Sequence, residues 1–290
     1  MSEPIPIPSR ESLNETDIKT VRWQESIFVE ENYTVEYAHD VQHRRLVQYV
    51  VEALEARPTA TVADLGCGEG LNLLAVCRQA SREGVRYIGV DLNRAALRRA
   101  ANRIAYRGYR NVELLAGDVL DTGLPAASAD VVVSSEVIEH LRDPQRLLRE
   151  IWRVLAPGGT AIITTPNLSN YPRRIGNLAD RLLRGRLRDR AYAGMADRAE
   201  GTGFTPDEAA GILGHVSEKP ARIWRQLARQ AGFRTRLYRG STLVYGYPWL
   251  ARHPALFGLL CLADGLLGCL PRWFDTSHDL LMVMTKDPGA

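Results

Sequence analysis

Short apolar runs alternate along this chain with longer segments in which apolar residues recur at every third or fourth position. The apolar runs predict seven strands, over residues 61–64, 87–90, 112–115, 130–134, 160–165, 233–239 and 279–285. The amphipathic segments predict helices over residues 30–54, 71–82, 94–106, 144–155 and 221–232. Because most of the links are short, this alternation predicts an α/β fold, a doubly wound parallel sheet with helices on both faces.

Length and composition limit the classes of protein that fit. A chain of 290 residues with 45% apolar residues can bury a full core, and its net charge of +3 is too small to indicate a nucleic-acid partner by itself. The four cysteines lack metal-binding spacing, which predicts reduced thiols in a cytoplasmic protein. The chain does not open on a basic stretch followed by an apolar run, so we expect no secretory signal.

A glycine-rich turn follows the first predicted strand. Its pattern is D-x-G-x-G-x-G, formed by Asp64, Gly66, Gly68 and Gly70. Glycines there let the backbone adopt positive φ and pass close to a ligand. The dinucleotide fingerprint G-x-G-x-x-G would place its third glycine at Leu71, so the spacing differs from that motif.

Acidic residues also end the next two strands. Asp91 closes the second strand, where it could bind both hydroxyls of a ribose, and Asp118 follows the third strand. The alternative is that these acids only cap helices. Ligands of such sheets bind at the carboxyl ends of the strands, where all three acids are expected.

Together these three motifs resemble those of the class I S-adenosylmethionine-dependent methyltransferases, over about residues 46–239 and the last strand. The resemblance implies a Rossmann-like seven-stranded sheet in the order 3-2-1-4-5-7-6, with the last strand antiparallel, and S-adenosylmethionine as the cofactor. It divides the chain into an N-terminal tail and cap helix (1–45) and a methyltransferase domain (46–290). The implied cofactor-binding residues are Asp64, Gly66, Cys67, Gly68, Gly70, Asp91, Leu92, Asp118, Val119 and Ser135.

A second constellation, S-E-V-I-E-H-L, follows the fourth strand over residues 135–141. If a helical turn begins at Glu136, then Glu136, Glu139 and His140 share one face. His215, before a later helix, could join them. Two carboxylates and two imidazoles suit a divalent cation such as Mg, Mn or Zn.

This second segment resembles two groups of methyltransferases, the ubiquinone-biosynthesis O-methyltransferases and the small-RNA 3′-terminal 2′-O-methyltransferases. In both groups the resemblance implies a metal that binds two vicinal hydroxyls, with Glu136, Glu139, His140 and His215 as its ligands. Other small-molecule methyltransferases carry similar residues without a known metal. There His140 would be a general base or an orienting residue, and a purely structural role also stays open.

Two insertions extend the domain, at about residues 167–218 and 241–277. In the first, the arginine-rich segment 178–190 could bind anionic lipid, phosphate or RNA, or be a solvated helix, and residues 191–210 are predicted to form a lid. In the second, the apolar segment 254–271 is too short to span a bilayer. It could cover an apolar substrate pocket, which we favour, form a dimer face, or touch a membrane.

These features predict an O-methyltransferase that acts on a hydroxylated small-molecule or lipid-linked acceptor, with metal assistance left open. The protein would be cytoplasmic, with peripheral membrane contact as an option. RNA ribose 2′-O-methylation is the less favoured alternative, because the basic residues concentrate in one segment. A non-catalytic scaffold that binds the cofactor is a third. The sequence does not indicate the oligomeric state, and a dimer stays open.

Overall fold

The structure, a computed structural model, describes residues 2–21, 33–55, 57–80, 84–170, 216–241 and 253–289. In this part of the chain the strands are β1 (Glu3–Ile5), β2 (Ala60–Leu65), β3 (Val85–Asp91), β4 (Val112–Ala116), β5 (Ala129–Ser135), β6 (Leu155–Pro166), β7 (Arg234–Ser241) and β8 (Asp279–Thr285). The helices are α1 (residues 15–21), α2 (Tyr33–Glu55), α3 (Leu71–Gln79), α4 (Arg94–Arg107), α5 (Pro144–Val154), α6 (Ala221–Gln230), α7 (Pro254–Leu267) and α8 (Pro271–Thr276). Short 3-10 turns cover Arg10–Ser12 and Ile138–His140.

All these strands form one sheet, in the order β1-β4-β3-β2-β5-β6-β8-β7. Strands β2 to β6 pair in parallel, and β8 is antiparallel to both of its neighbours. The predicted order of the seven strands, including the antiparallel last strand, is therefore confirmed. Their parallel pairing follows from the helical crossovers between them.

The predicted strand count is wrong by one, because the sheet has eight strands. Strand β1 pairs antiparallel with β4, at the edge of the sheet, within the segment that was predicted to be an N-terminal tail. Arg94 forms an ion pair with Glu3, and Ser2 Oγ donates to the Thr122 carbonyl at 2.5 Å. A three-residue edge strand that contains Pro4 has no hydrophobic periodicity to predict it, and proline is tolerated at such an edge.

The core lies on both faces of the sheet. On one face, Val62 and Val133 pack with Leu46 and Val50 of α2 and with residues of α3 and α4. On the other face, neighbouring strand residues such as Ala63 pack with α5 and α6, whose Trp224 is fully buried. Consecutive residues of a strand point to opposite faces, so strands buried on both faces read as the continuous apolar runs seen in the sequence.

Helix α2 crosses the first of these faces and reaches the carboxyl edge of the sheet. Gln42 Nε2 donates to Glu136 Oε1 at 2.9 Å, just beyond β5, and His43 Nδ1 lies 2.6 Å from Asn72 Oδ1 in α3. At the other end of the crossing, Arg57 bonds to Asp130 near the amino end of β5. The helix continues for nine residues before Gln42, about 13 Å of further length on the side of the carboxyl edge.

Candidate functional site

The glycine-rich turn connects β2 to α3 at the carboxyl edge, in the centre of the sheet. The amides of Gly66 and Cys67 both donate to the Val90 carbonyl, at 2.7 and 3.1 Å, which ties the turn to the end of β3. Gly66, Gly68 and Gly70 all have positive φ, at 84°, 51° and 78°. This backbone conformation is the physical reason for the D-x-G-x-G-x-G spacing.

The surroundings of these glycines differ. A Cβ added to Gly66 would lie 2.3 Å from Val137 Cγ2, and one added to Gly70 would lie 3.2 Å from the Cβ of Ala100. A Cβ added to Gly68 would meet no atom within 4 Å. Gly66 and Gly70 thus allow close packing within the protein, whereas Gly68 faces open space that a ligand could occupy.

Asp91 joins the glycine turn to the end of β3. Its Oδ2 accepts a hydrogen bond from the Gly68 amide at 2.7 Å, and its Oδ1 accepts one from the Asn93 amide at 2.8 Å. The predicted ribose-binding residue therefore lies beside the open position at Gly68. Leu92, which follows it, is 69% exposed.

The other predicted cofactor residues lie at or near the same edge. The Gly117 amide donates to the Asp91 carbonyl at 3.0 Å, so Asp118 and the buried Val119 lie near the end of β3. Asp118 is exposed, and its Oδ1 accepts from the Leu120 amide at 2.9 Å. At the end of β5, Ser135 Oγ lies 2.8 Å from Thr164 Oγ1. Cys67 is buried in the glycine turn, and burial raises the pKa of its thiol well above the usual range.

Asp64 is the side chain at this edge that most clearly needs a ligand. It is 2% exposed, and within the part of the chain that the structure describes neither carboxylate oxygen has a hydrogen-bond partner. Burial, with a smaller contribution from the charge of Asp91, raises the pKa of Asp64 to about 7. A buried carboxylate without a partner is costly, and a cation bound beside it would offset that cost. S-adenosylmethionine carries positive charge and an adenosine group, so Asp64, Asp91 and the open space at Gly68 fit this cofactor.

Glu136 follows β5 with a φ of 55°, in the left-handed region that non-glycine residues rarely adopt. Its amide donates to the Thr164 carbonyl at 3.1 Å, and its carboxylate accepts from Gln42. Burial, together with the charges of Glu139 and Asp279, raises the pKa of Glu136 well above its usual range. Burial and the two neighbouring charges thus favour the neutral form of the Glu136 side chain, and they outweigh the hydrogen bond from Gln42, which lowers the pKa.

The helical turn predicted to begin at Glu136 begins two residues later, as the 3-10 turn Ile138–His140. The i, i+3, i+4 argument for a shared face is therefore wrong for Glu136, because this residue lies outside the turn in a left-handed conformation. Glu136 and Glu139 are still close enough for their charges to interact. Tertiary contacts with α2 and β6 set this geometry, and the local sequence does not reveal them.

His140 is exposed, whereas its neighbour Glu139 is buried. The Glu139 carboxylate is fully buried, and its Oε2 accepts from Thr165 Oγ1 at 3.1 Å. His140 Nε2 lies 3.7 Å from Glu139 Oε1, and the His140 side chain is 37% exposed. The pair therefore places an accessible imidazole beside a buried carboxylate. The Glu139 carbonyl also accepts from the Ser217 amide at 2.9 Å, which brings the return of the first insertion to this turn.

His215, the fourth predicted metal ligand, lies outside the described residues, as do the arginine-rich segment and the predicted lid. Within the described ranges, no group of three or more His, Cys, Asp or Glu side chains is arranged to hold a metal ion. The predicted metal site thus stays a prediction.

Several polar residues of this edge were missed by sequence reasoning. Gln42 contacts Glu136 from α2, Thr165 contacts Glu139 from β6, and Asp279 begins β8 opposite Pro166. His278 Nδ1 lies 2.8 Å from Asp279 Oδ1. The only signal in the sequence was the position of Asp279 at the start of a predicted strand, because the other contacts depend on how α2 and the strands pack.

Known proteins resemble this chain in sequence and fold. Residues 63–163 match the model of a methyltransferase domain. A probable S-adenosylmethionine-dependent methyltransferase of Mycolicibacterium smegmatis is 36% identical over 140 residues, which make up 48% of this chain and 47% of that protein. A similarly named protein of Mycobacterium tuberculosis is 38% identical over 124 residues, 41% of each chain. This chain therefore spans less than half the length of these two relatives.

The solved structure of phosphoethanolamine N-methyltransferase 2 of Haemonchus contortus, in complex with S-adenosylmethionine, matches with a TM-score of 0.55 and 16% identity. The match covers 84% of this chain and 52% of that one, and it supports the fold alone. The domain match and the two sequence relatives support a class I S-adenosylmethionine-dependent methyltransferase domain around the matched residues 63–163, and the solved structure agrees with its fold. The predicted resemblance is confirmed, and S-adenosylmethionine is the cofactor of this class.

Proposed function

We propose that this chain transfers a methyl group from S-adenosylmethionine to a hydroxyl group of a small-molecule or lipid-linked acceptor. The observation that carries the proposal is the buried Asp64 carboxylate, whose oxygens have no partner among the described residues and which lies beside the glycine turn. A buried carboxylate whose charge no neighbouring group compensates suits a cationic methyl donor.

On the donor side, each residue has a distinct proposed role. Asp64 would balance the positive charge of the cofactor, Asp91 would accept hydrogen bonds from the ribose hydroxyls, and Asp118 would accept one from the adenine amino group. Gly68 would leave room for the bound molecule, since a Cβ there would meet no protein atom within 4 Å. When bound, the cofactor supplies a methyl group already activated by its attachment to a sulfonium.

On the acceptor side, we assign the proton transfer to His140. As the acceptor oxygen bonds to the methyl carbon and the carbon–sulfur bond breaks, the hydroxyl proton passes to the His140 imidazole. Glu139, with Oε1 at 3.7 Å, stabilises the imidazolium that forms and holds the ring in place. Glu136, held toward its neutral form, orients the acceptor by hydrogen bonding.

Metal assistance by Glu136, Glu139, His140 and His215 is the alternative for the same reaction. The described contacts favour the metal-free version, because the Glu136 carboxylate already bonds to Gln42 and that of Glu139 to Thr165. A metal would have to displace these bonds or use the remaining lone pairs. Adding a chelator distinguishes the two versions of the mechanism. A metal-dependent enzyme should lose activity and regain it when Mg, Mn or Zn is added back, whereas a metal-free enzyme should keep its activity.

The test is transfer of labelled methyl from S-adenosylmethionine into a cell extract that is then separated into lipid, small-molecule and RNA fractions. We expect label in lipid or small molecules. His140→Gln should lower turnover about 10²- to 10⁴-fold with unchanged S-adenosylmethionine affinity, whereas the exposed His253→Gln should leave both unchanged. Full turnover of His140→Gln would contradict the assignment of the base. Label in RNA would favour ribose methylation, and a chain that binds the cofactor but labels no fraction would fit a scaffold.

A further inference from the structure

The loop that follows β4, which we call the β4 loop (residues 117–122), is held by the protein at both of its ends. Its first amide donates to the Asp91 carbonyl at 3.0 Å. At the other end, the amide and the hydroxyl of Thr122 both donate to Glu150 Oε1 in α5, at 2.9 and 2.5 Å. Asp118 lies exposed between these two ends. The position of its carboxylate therefore depends on the conformation of the β4 loop.

Ser2 joins the two ends of the β4 loop to each other. In the antiparallel pairing of β1 with β4, Glu3 lies opposite Ala116, which brings the preceding residue beside Gly117. Ser2 Oγ donates to the Thr122 carbonyl at 2.5 Å. A Cβ added to Gly117 would overlap Ser2 Oγ and lie 2.9 Å from Ser2 Cβ, so only a glycine at this position lets the serine come so close. One side chain thus contacts both the first and the last residue of the loop.

Glu3 connects β1 to the loop that follows β3. Its carboxylate forms an ion pair with Arg94, in the first turn of α4. Arg94 comes shortly after Asp91, whose Oδ1 accepts from the Asn93 amide at 2.8 Å. The consecutive residues Ser2 and Glu3 therefore contact the two loops that carry the acids proposed to bind the adenosine group of the cofactor.

The rest of the N-terminal segment is attached to the protein independently of these two residues. The Arg10 guanidinium lies over the ring of Tyr106, 5.4 Å from its centroid. Asn102 Nδ2 donates to Asp17 Oδ1 at 3.1 Å, and Val21 is buried. These contacts lie further along α4 than Arg94 does, so a change at position 2 leaves the attachment of this segment in place.

We propose that Ser2 and Glu3 are positioning residues for the recognition of adenine. Through the β4 loop they hold the Asp118 carboxylate where it accepts a hydrogen bond from the adenine amino group. Asp118 Oδ1 already accepts from the Leu120 amide within the loop, so its direction follows the loop. Fixing an exposed loop before the ligand binds lowers the entropic cost of binding. The inference rests on the proposed cofactor roles of Asp91 and Asp118.

The test is calorimetric titration with S-adenosylhomocysteine and with its analogue that has purine in place of adenine and so lacks the amino group. Neither ligand carries the sulfonium charge, so the comparison does not depend on Asp64. We expect the wild type to bind the adenine ligand roughly tenfold more tightly than the purine ligand. Ser2→Gly, which loses the hydrogen bond to Thr122, should lower this ratio about threefold or more, mainly through weaker binding of the adenine ligand.

Gly117→Ala tests the same contact from the other side. Its Cβ would displace Ser2, so the ratio should fall as it does in Ser2→Gly. When both changes are combined the Cβ has room, because the Cα of residue 2 lies 3.5 Å away, an ordinary contact distance. The double variant should therefore discriminate no worse than Ser2→Gly alone. The matched control is Arg10→Gln, which weakens the contact of the N-terminal segment with Tyr106 and should keep the wild-type ratio.

A wild-type ratio in Ser2→Gly would overturn this proposal alone. So would an equal loss in Arg10→Gln, because it would show that any loosening of the N-terminal segment has the same effect. A Gly117→Ala change that costs as much in the Ser2→Gly protein as in the wild type would mean that position 117 acts on the ligand directly. Equal binding of both ligands by the wild type would overturn the proposal together with the adenine role of Asp118, and it would leave the proposed methyl transfer untouched.

Discussion

At the scale of single residues, the ionised form of the buried Asp64 should lower the stability of the protein without cofactor and favour the binding of a cationic ligand. Its pKa in the folded protein, about 7, lies above its ordinary value of 3.8, so the native state binds this proton more tightly than the unfolded state does. The stability that this proton contributes is fully present below about pH 4 and is lost as the pH rises to 7. A difference of about three pH units corresponds to about 4 kcal/mol.

We therefore predict that Asp64→Asn, without cofactor, is more stable than the wild type at pH 8 by up to about 4 kcal/mol. At pH 4, where the carboxyl is protonated in the folded state, the two proteins should differ little. Urea denaturation at both pH values measures the effect. Equal stability at pH 8 would show that another group already compensates the Asp64 charge.

The glycine turn allows a second prediction at this scale, because its residues have different neighbours. Gly68→Ala adds a methyl group to open space at a φ of 51°, so we expect a loss of about 1–2 kcal/mol from the left-handed backbone. Its main effect should be weaker S-adenosylmethionine binding, by roughly tenfold or more. Gly66→Ala, whose Cβ would collide with Val137, should destabilise the protein more than Gly68→Ala does.

Thermal unfolding and calorimetric titration of the two alanine variants separate these effects. Normal cofactor affinity in Gly68→Ala would remove this residue from the proposed site. The sequence alone predicted the glycine turn and the position of Asp64, Asp91 and Asp118 at the carboxyl ends of the strands, because these features depend on local backbone conformation. It did not predict that Gly66 and Gly70 serve packing, since Val137 and Ala100 come from other parts of the chain.

At the scale of elements, hydrophobic periodicity predicted the seven larger strands, and the resemblance to class I methyltransferases implied their order, whereas neither predicted β1. Strand β1 covers the exposed edge of β4 with three residues and anchors itself through Glu3 and Arg94. Unpaired sheet edges promote association with other chains. The surroundings of Glu136 and Glu139 show the same limit, because Gln42 and Thr165 reach these carboxylates only through tertiary packing.

We predict that removing residues 2–8 lowers the free energy of unfolding by roughly 1–3 kcal/mol and increases self-association through β4. Glu3→Gln, which breaks only the exposed ion pair with Arg94, is the control and should leave the free energy of unfolding essentially unchanged. Urea titration and light scattering at increasing concentration give the two readouts. A truncated chain that is as stable and as monomeric as the full chain would show that β1 contributes nothing to the edge.

At the scale of the whole molecule, the buried charge at Asp64 should couple cofactor binding to pH. A cation bound beside this residue favours its ionised form, so binding of S-adenosylmethionine should release a proton wherever Asp64 is protonated beforehand. With a pKa of about 7 in the free protein, the affinity should rise on the order of tenfold between pH 5.5 and pH 7. Calorimetric titration in two buffers of different ionisation enthalpy counts the released proton directly.

Asp64→Asn provides the control for this coupling, because its amide cannot titrate. It should bind S-adenosylmethionine weakly at every pH and release no proton from this site. A wild-type affinity that is constant from pH 5.5 to pH 7, with no proton released, would place the positive charge of the cofactor away from Asp64. The roles of Asp91 and Asp118 would then have to be tested by separate variants, since they depend on hydrogen bonds to the ribose and adenine groups and not on a buried charge.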